Sequence, residues 1–391
     1  MEIAYLIPTI DRIAGAERQL QLLATGMAER GWKVTVIALS GTGGDFLCDL
    51  PAHQVSFLSL GMRKGLADPR GWIRLHRFLD AHQPDVVHAH LPHAALLARW
   101  SRFAAPVRVL IDTIHSPACG GTIRRFGYRI SSWLPDMLTA VSLSAAEPWL
   151  KAQMLHGANL AIIPNGIAMD YFKRDDGARK AARSQSGFTN EFVWLSVGRL
   201  DPVKDHVTLL RAFARLPVKA HLVLAGTGPL ETMLRQLSSE LGVASRVTFL
   251  GFQREMLAWM QLADAFVLNS LWEGLPLALI EAGACELPAV ITNTPGAREV
   301  LSDLPVDSVP VGDPDALAAA MSALMSVPLT ERRNLGIRGR QSVLARFDIH
   351  SVLDSYEALY RSALAVNQIP SRWRTSRSPS AALSGSNTTG K

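Results

Sequence analysis

Residues 268–301 read LNSLWEGLPLALIEAGACELPAVITNTPGAREVL, and the elements predicted in and beside this stretch indicate the fold class. The apolar run Ala265–Leu268 predicts a buried strand, and the apolar residues Pro288–Ile291 predict the start of a second strand. Pro276 is suited to the first turn of a helix between them, because its fixed φ angle matches a helix start. Strands that alternate with helices in this way predict a parallel sheet covered by helices.

Two glutamates lie beside and within this predicted helix. Free backbone N–H groups at a helix start bind phosphate, and the helix dipole favours the negative charge. Gly274 lets a ligand approach the backbone closely because it has no side chain. Glu273 at the mouth can accept hydrogen bonds from a sugar. Glu281 can accept from a ribose if a nucleotide lies along the helix.

This stretch resembles the E-x7-E signature of the retaining glycosyltransferases of family 4. Two glutamates at this spacing are common on exposed helices, so the spacing alone carries little. Flanking residues match as well: Ser270 to Gly274, Ala282, Leu287, Pro288, Gly296, Arg298 and Glu299. Two positions depart from the family pattern. Glu286 stands where the family usually has Gly, and Ala14 replaces the first of two usual glycines.

The resemblance implies a GT-B fold, in which two doubly wound Rossmann-like α/β domains face each other across a cleft. The second domain of such an enzyme binds a nucleotide diphosphate sugar, and the first binds the acceptor. The implied reaction moves a hexose-type sugar from a UDP- or GDP-sugar to a glycan or lipid-linked acceptor, with retention of configuration. Cell-surface polysaccharide, lipopolysaccharide or glycolipid biosynthesis is the implied setting. No metal, other cofactor or nucleic-acid partner is expected.

The resemblance also assigns roles to particular residues. The residues expected to be catalytic are His115, Arg199, Lys204 and Glu273. The residues expected to bind the donor are Gly15, Gly198, Gly251, Gly274, Leu275, Pro276, Leu277 and Glu281. Gly15 fits equally well a role in packing the first helix on the first strand.

A second signature of the family follows the predicted strand Phe192–Val197. Gly198 and Arg199 end this strand, and Lys204 comes five residues after Arg199. The planar guanidinium of Arg can form two parallel hydrogen bonds with a phosphate, and the compact ammonium of Lys can pair with the same diphosphate. We expect these two cations and the helix start near Gly274 to stabilise the leaving diphosphate during same-face attack. Glu273 and Glu281 are better assigned to binding, so the two-carboxylate scheme of glycosidases does not fit.

The length of 391 residues exceeds one ordinary core, so two domains are expected. The first domain is predicted at 1–168 and is completed by a returning helix at 349–365. A polar linker at 169–190 and a second domain at 191–348 follow. The strands predicted in the first domain are 3–7, 33–39, 55–58, 85–88, 107–113, 137–141 and 160–163. Residues 366–391 are rich in Ser, Arg and Thr and are predicted to be disordered.

Composition places the protein in a reducing compartment. Cys48, Cys119 and Cys285 lie far apart without a CxxC pair, which argues against a disulfide framework or a zinc site. The chain opens directly with a strand, so no signal peptide is indicated, and no uncharged apolar run reaches the length of a bilayer span. We therefore expect a cytoplasmic protein, in solution or peripheral on the inner face of the cytoplasmic membrane.

Histidines follow two of the predicted strands. His88 and His90 in the run HAHLPH would share a strand face, but no acidic or Cys partner is adjacent, so a metal is disfavoured. The family places this loop at the cleft, which suggests His90 and His93 as acceptor contacts; buried, hydrogen-bonded histidines are the alternative. His115 ends a strand, where α/β sheets bind ligands, and the family has a His here near the transferred sugar.

Two stretches combine basic and aromatic residues, at 124–133 and at 63–77. Basic amphipathic helices lie at membrane interfaces, so these stretches suggest contact with an anionic membrane surface. The net charge of +6 agrees with such a partner. The alternative is a solvated helix face with an aromatic residue in the core.

Two other functions stay open. A nucleotide-sugar epimerase on the same fold would release nucleotide and isomerised sugar without an acceptor. A non-catalytic sugar-binding module should lack Arg199, Lys204, Glu273 or Glu281, and all four are present. Two weaker motifs have simpler explanations. The Gly226–Gly228 turn predicts strand-to-helix packing, and Asp313 before Pro314 predicts a helix N-cap rather than a metal-binding DxD.

Overall fold

The computed structural model describes residues 1–11, 15–48, 50–51, 54–63, 68–155, 159–301 and 308–367. The predicted disordered tail lies outside the described residues, except for Val366 and Asn367. Ala14 and Lys64 also lie outside them.

Seven parallel strands form the first sheet, in the order β3-β2-β1-β4-β5-β6-β7. They are β1 (Glu2–Thr9), β2 (Lys33–Ser40), β3 (Val55–Ser59), β4 (Val86–His90), β5 (Val109–Ile114), β6 (Met137–Ala140) and β7 (Asn159–Ile162). Each predicted strand coincides with one of these, with small shifts at its ends. The strand order reverses between β1 and β4, and ligands bind in α/β sheets at such a reversal.

Helices cover both faces of the first sheet, which explains why its strands are apolar on both sides. They are α1 (Gly15–Glu29), α2 (Gly44–Cys48), α3 (Pro69–His82), α4 (Pro92–Ser101), α5 (Thr122–Ile130) and α6 (Leu143–Lys151). Leu20 and Met27 of α1 belong to one buried cluster, and Leu97 of α4 belongs to the cluster on the opposite face. Ser142 begins α6, because its side chain accepts a hydrogen bond from Ala145 N.

Six parallel strands form the second sheet, in the order β10-β9-β8-β11-β12-β13. They are β8 (Phe192–Val197), β9 (Ala220–Ala225), β10 (Val247–Gly251), β11 (Ala265–Leu268), β12 (Ala289–Thr292) and β13 (Ser308–Val309). The order reverses between β8 and β11, as it does between β1 and β4. Two apolar clusters lie on opposite sides of this sheet. The predicted α/β fold with two doubly wound domains is confirmed.

The remaining helices follow the chain from the first domain to its end. They are α7 (Asp176–Gln185), α8 (His206–Phe213), α9 (Glu231–Glu240), α10 (Leu257–Leu262), α11 (Leu277–Ala284), α12 (Pro295–Val300), α13 (Pro314–Ser326), α14 (Leu329–Phe347) and α15 (Ile349–Val366). Asp313 caps α13 by accepting from Asp315 N and Ala316 N, as its position before Pro314 predicts.

The last helix, α15, packs on the first sheet although it follows the second domain. Leu353, Tyr356 and Tyr360 are buried in the same cluster as residues of β1 and α1. A second connection lies where the chain leaves the first domain. Ile167 N donates to Phe347 O at 2.9 Å. The two segments in which the chain passes between the domains, near 167 and near 348, therefore lie side by side.

The segment that we predicted as a linker, 169–190, contains the helix α7. Arg179 and Arg183 of this helix form ion pairs with Asp264 at 2.5 and 3.0 Å. Asp264 also accepts a hydrogen bond from Val193 N, at the start of β8. The polar composition of the segment therefore reflects a helix that is anchored to the second domain by charge.

Candidate active site

The loops at the carboxyl ends of the two sheets meet at the cleft between the domains. A Cβ atom built on Gly15, after β1, would lie 3.3 Å from Leu277 Cδ1. A Cβ atom built on Gly274 would lie 2.9 Å from His115 O, after β5. The structure therefore brings Gly15, His115 and the start of α11 to one place, although they come from different domains.

A lysine and a glutamate form the charged centre of this cleft. Lys204 Nζ lies 2.5 Å from Glu273 Oε1, and Ser270 Oγ donates to the same oxygen at 2.5 Å. The Lys204 side chain is 23% exposed and the Glu273 side chain 10% exposed, so solvent screens this pair only in part. One carboxylate oxygen of Glu273 is therefore held by two donors.

Two neighbouring loops fix the backbone of Lys204. A short 3-10 helix, Pro202–Lys204, follows β8. Asn269 Nδ2 donates to Lys204 O at 2.5 Å, and Leu271 N donates to Val203 O at 2.8 Å. Gly198 makes room for the lysine stem, since a Cβ atom there would lie 3.1 Å from Lys204 Cε. Asn269 and Ser270 are thus supporting residues, and the sequence showed them only as polar residues after a strand.

Arg199 lies at the end of β8 but has a different environment from Lys204. Its side chain is 72% exposed, and its guanidinium pairs with Asp201 at 3.3 Å. An exposed arginine can rotate toward a bound phosphate and form two parallel hydrogen bonds with it. The sequence gives no reason to distinguish Arg199 from Lys204, whereas in the structure Lys204 contacts Glu273 and Arg199 contacts Asp201.

The glycine turn 226–228 packs against the backbone of the loop that carries Arg199. Gly226 has φ +142°, and a Cβ atom there would lie 2.0 Å from Gly198 O. A Cβ atom on Gly228 would lie 2.3 Å from Leu200 O. Gly226 N also donates to Gly251 O at 2.8 Å. The prediction of a packing turn is confirmed, because backbone approaches backbone here.

The helix α11 carries Glu281 and begins at Leu277. Pro276 occupies the N-cap, one position before the first turn where we predicted it, and no side chain caps the helix. Leu275 and Leu277 pack against the core of the second domain, so only their backbone groups are suited to a polar ligand.

Glu281 is 7% exposed. Burial raises the pKa of its carboxyl to about 7, and the charge of Arg18 opposes this rise. Arg18 belongs to α1 of the first domain and also lies over the Phe172 ring, with 5.6 Å from Cζ to the centroid. The carboxyl therefore exchanges its proton near neutral pH. Arg18 lies near the start of α1, and nothing in the sequence of that helix indicated that Arg18 would lie near Glu281.

The histidines of the first domain have separate roles. His88 is fully buried; its Nδ1 lies 2.7 Å from Tyr360 Oη and its Nε2 lies 2.5 Å from Thr113 Oγ1. Burial lowers the pKa of His88 to about 3, with a smaller contribution from the nearby His115. The alternative of a buried, hydrogen-bonded histidine is correct for His88.

His90 lies beneath His115. It has no exposed surface, and its Nδ1 lies 2.9 Å from His115 Nε2. The prediction that His90 contacts an acceptor is therefore wrong, because His115 and the sheet cover it. His115 itself is half-buried, and burial lowers its pKa to about 4, so its ring is neutral at pH 7. His93, at the start of α4, is half-buried with its Nε2 3.1 Å from Arg124 Nη2.

Three residues at the cleft were not singled out as site residues from the sequence. Glu299 of α12 accepts hydrogen bonds from Leu143 N and Ser144 N, across the domain boundary. Ser142 and Ser144 donate to Gly274 O. The sequence signal available was a serine before a helix, which predicts a cap but no partner in another domain.

Within the described ranges, no group of three or more His, Cys, Asp or Glu residues is arranged to hold a metal ion. A search of the same part of the chain finds no helix with both the length and the apolar character needed to cross a membrane.

Comparison with known proteins identifies the family. The family described as Glycosyltransferase Family 4 matches residues 13–171, and the family described as Glycosyl transferases group 1 matches residues 178–342. The GDP-mannose-dependent alpha-(1-6)-phosphatidylinositol monomannoside mannosyltransferase of Mycolicibacterium smegmatis is 30% identical over 317 residues, which cover 76% of this chain and 79% of that protein. The chain belongs to glycosyltransferase family 4.

Two further comparisons agree with a family 4 glycosyltransferase. A Campylobacter jejuni enzyme, N-acetylgalactosamine-N,N'-diacetylbacillosaminyl-diphospho-undecaprenol 4-alpha-N-acetylgalactosaminyltransferase, is 41% identical over 219 residues, 54% of this chain and 58% of that protein. The crystal structure of HepE from Anabaena, in complex with UDP and glucose, superimposes with a TM-score of 0.80 at 21% identity, over 93% of this chain and all of that one. At that identity the structural likeness shows the fold alone, which is GT-B.

Proposed function

We propose that this glycosyltransferase moves a hexose-type sugar from a UDP- or GDP-sugar to a glycan or lipid-linked acceptor, with retention of anomeric configuration. The observation that carries the proposal is the pairing of Lys204 with Glu273 beside Gly274, at the domain cleft. A cation, a sugar-binding carboxylate and an uncapped helix start lie together there. This set suits a diphosphate with a sugar attached.

The leaving diphosphate gains negative charge as the glycosidic bond breaks. Lys204 is already held at the cleft by Glu273. The exposed Arg199 side chain can rotate toward the phosphates and form two parallel hydrogen bonds with them. Donors that face developing charge in a partly dry site lower the barrier more than they would in water. In this proposal Lys204, Arg199 and the N–H groups at the start of α11 neutralise the leaving group, and no metal takes part.

Retention is proposed to follow from attack on the same face that the diphosphate leaves. Glu273 is engaged by Lys204 Nζ and Ser270 Oγ at one oxygen, an arrangement suited to binding sugar hydroxyls. A double-displacement glycosidase instead uses a carboxylate as nucleophile beside the reacting carbon. The engaged state of Glu273 supports a binding role and therefore the same-face mechanism.

The names of the relatives support the substrate classes. The M. smegmatis protein is named for GDP-mannose and a phosphatidylinositol mannoside, and the C. jejuni protein for a diphospho-undecaprenol acceptor. HepE was solved with UDP. We infer that this chain acts in cell-surface polysaccharide, lipopolysaccharide or glycolipid biosynthesis, with a lipid-linked acceptor as the first class to test.

A surface of exposed apolar and basic side chains on the first domain supports a lipid-linked acceptor. The helix α5 leaves Ile123 90% exposed and Phe126 63% exposed, and Trp133 just after it is 66% exposed. Arg124, Arg125 and Arg129 lie on the same helix. Apolar and basic side chains in this combination suit the boundary of an anionic membrane. We propose that α5 and Trp133 dock the protein on the inner face of the cytoplasmic membrane.

The second basic stretch, at 63–77, fits membrane contact less well. Asp68 caps α3 and forms an ion pair with Arg70 at 3.1 Å. Arg74 donates to Leu60 O at 2.8 Å. Asp68 neutralises Arg70, and Ile73 on α3 is 50% exposed, less than Ile123, Phe126 and Trp133. The α5 surface is therefore the one proposed to bind lipid.

A nucleotide-sugar screen tests the transferase proposal. The protein is mixed with individual UDP- and GDP-sugars and lipid-linked diphosphate acceptors, and products are followed by mass spectrometry. We expect nucleotide release that requires acceptor, and a product with the donor's anomeric configuration by NMR. Isomerised free sugar without acceptor would identify an epimerase, and binding without any turnover a binding module. The Lys219→Ala variant, which changes an exposed lysine outside the cleft, is the control for Lys204→Ala.

Vesicle flotation tests the membrane surface. Binding to anionic vesicles should weaken with salt, since each basic residue near the surface adds about 1 kcal/mol that ions screen. The double variant Phe126→Ser, Trp133→Ser should lose binding, whereas Ile73→Ser on α3, at a residue 50% exposed, should keep it. Equal binding of the unaltered protein to neutral vesicles would contradict the proposal.

A further inference from the structure

The N-terminus of α6, in the first domain, is held by a carboxylate from the second domain. Leu143 N donates to Glu299 Oε1 at 2.9 Å, and Ser144 N donates to Glu299 Oε2 at 3.2 Å. The first N–H groups of a helix have no partner within the helix, and the helix dipole attracts negative charge there. Glu299 of α12 therefore joins the domains through two hydrogen bonds, one to each oxygen of its carboxylate.

Two hydroxyl groups at the same helix end reach the donor loop. Ser142 Oγ donates to Gly274 O at 2.7 Å, and Ser144 Oγ donates to Gly274 O at 2.9 Å. Ser142 has no exposed surface, so its bond to Gly274 O is shielded from water, whereas Ser144 is half-buried. We call Ser142, Ser144 and Glu299 together the α6 clasp.

The backbone of Gly274 is enclosed on its other sides as well. A Cβ atom on Gly274 would lie 2.9 Å from His115 O. A Cβ atom on Gly296 would lie 2.5 Å from both Glu273 O and Gly274 O. The turn has no repetitive structure of its own before α11 begins at Leu277, so these contacts set its position.

We propose that Ser144 and Glu299 are positioning residues for transfer. Ser144 of the first domain holds Gly274 O, and Glu299 of the second domain holds the end of α6 that carries Ser144, so that the donor site is complete only while the domains are together. The inference rests on the proposed function, because it assigns this turn to donor binding. Glu273 precedes Gly274 and the first N–H groups of α11 follow it. A shift of Gly274 therefore moves the sugar-binding carboxylate and the phosphate-binding groups together.

The α6 clasp positions the backbone of the Glu273–Gly274 turn and is not proposed to touch a ligand. Its hydrogen bonds are made to Gly274 O and to the backbone of α6, whereas Lys204 and Ser270 bind the Glu273 carboxylate. Interactions that hold reacting groups in place affect turnover more than ground-state binding. Loss of the clasp should therefore lower kcat and leave the affinity for nucleotide nearly unchanged.

Kinetics on three variants tests the split between kcat and binding. Ser144→Ala, Glu299→Gln and the double variant should lower kcat about 10-fold to 100-fold, since small displacements remote from the reacting atoms have effects of this size. Calorimetry with UDP and GDP should show affinities within about twofold of the unaltered protein. Ser144→Thr keeps the hydroxyl and should recover most of kcat. Glu331→Gln, in the exposed first turn of α14, controls for loss of one negative charge.

Hydrogen–deuterium exchange of the ligand-free protein tests the coupling without any substrate. Ser144→Ala changes only the first domain, yet exchange should become faster at residues 273–284 of the second domain. Unchanged exchange at 273–284 together with unchanged kcat would overturn the inference. A matching loss of kcat, nucleotide affinity and thermal stability would also overturn it, because that pattern indicates a general folding defect. Faster exchange in a protein that transfers no sugar would support the clasp and contradict the proposed function.

Discussion

Replacing Lys204 by Ala is the sharpest test of the cleft. Lys204 contacts Glu273 at 2.5 Å in the structure, and we propose that it contacts the leaving diphosphate during transfer. Loss of one donor to developing charge costs about 2 to 4 kcal/mol in the barrier. At 1.36 kcal/mol for each factor of ten, Lys204→Ala should lower kcat roughly 30-fold to 1,000-fold.

The same substitution leaves Glu273 without its cation. Exposed ion pairs contribute about 0 to 1 kcal/mol, and removal of one partner from a buried pair costs about 3 to 5 kcal/mol. With side chains 23% and 10% exposed, the pair lies between these limits. We therefore expect a coupling of about 1 to 3 kcal/mol in the free energy of unfolding between Lys204→Ala and Glu273→Gln.

The assay combines donor turnover with a double-mutant cycle by urea unfolding. Initial rates of nucleotide release give the change in kcat, and unfolding of both single variants and the double variant gives the coupling. Lys219→Ala should match the unaltered protein in both measurements, because this lysine is exposed outside the cleft. Unaltered turnover of Lys204→Ala, or unfolding effects that simply add, would refute the assignment of Lys204.

Other substitutions test the proposed ribose contact of Glu281, a backbone turn and the core. Binding of UDP or GDP should strengthen several-fold as the pH rises through about 7, because the ionised Glu281 carboxylate is the better acceptor; an equal response in Glu281→Gln would count against it. The same raised pKa means that only the folded protein keeps this proton between about 4.5 and about 7, so the free energy of unfolding should fall with rising pH in this window, and less so in Glu281→Gln. Glu286→Gly should raise the free energy of unfolding by about 0.5 to 1 kcal/mol in urea, since relief at φ +59° exceeds the entropy cost of glycine; a less stable variant would show that the turn is unstrained. Arg99→Ala should lower the unfolding free energy by about 3 to 5 kcal/mol, because it strands the buried Asp112, and a change below about 1 kcal/mol in thermal unfolding would contradict this.

Local patterns in the sequence were enough to predict that residues of the proposed donor site lie at the ends of neighbouring strands. Arg199 and Lys204 follow β8, and Glu273 follows β11, where the apolar runs end in glycine or polar residues. The carboxyl ends of parallel strands lie at one edge of a sheet, so residues just after β8 and β11 must be close. The observed contact between Lys204 and Glu273 confirms that reasoning.

Where a local pattern had two explanations, burial decided between them. His90 ends β4 and His93 lies in the first turn of α4, three residues later, yet His90 is fully buried beside His115 and His93 is half-buried beside Arg124. Strand alternation predicts which residues share a face but not how deeply a neighbouring loop covers the strand end. The pKa of Glu281 likewise depends on its burial and on the charge of Arg18 from the first domain.

The strands and helices of both sheets could be predicted from the sequence, because runs of apolar residues and the helix-start signals between them are properties of short segments. Their doubly wound arrangement was implied by the resemblance to family 4. Glu286 was recognisable as a departure from the glycine usual in family 4, and its φ of +59° gives the reason for that glycine. The contacts between the domains could be read only from the folded structure. Glu299 and Leu143 are 156 residues apart in the chain and meet because the domains pack with α6 facing α12. Such a contact depends on the shapes of two folded surfaces, and no periodicity within either segment encodes it.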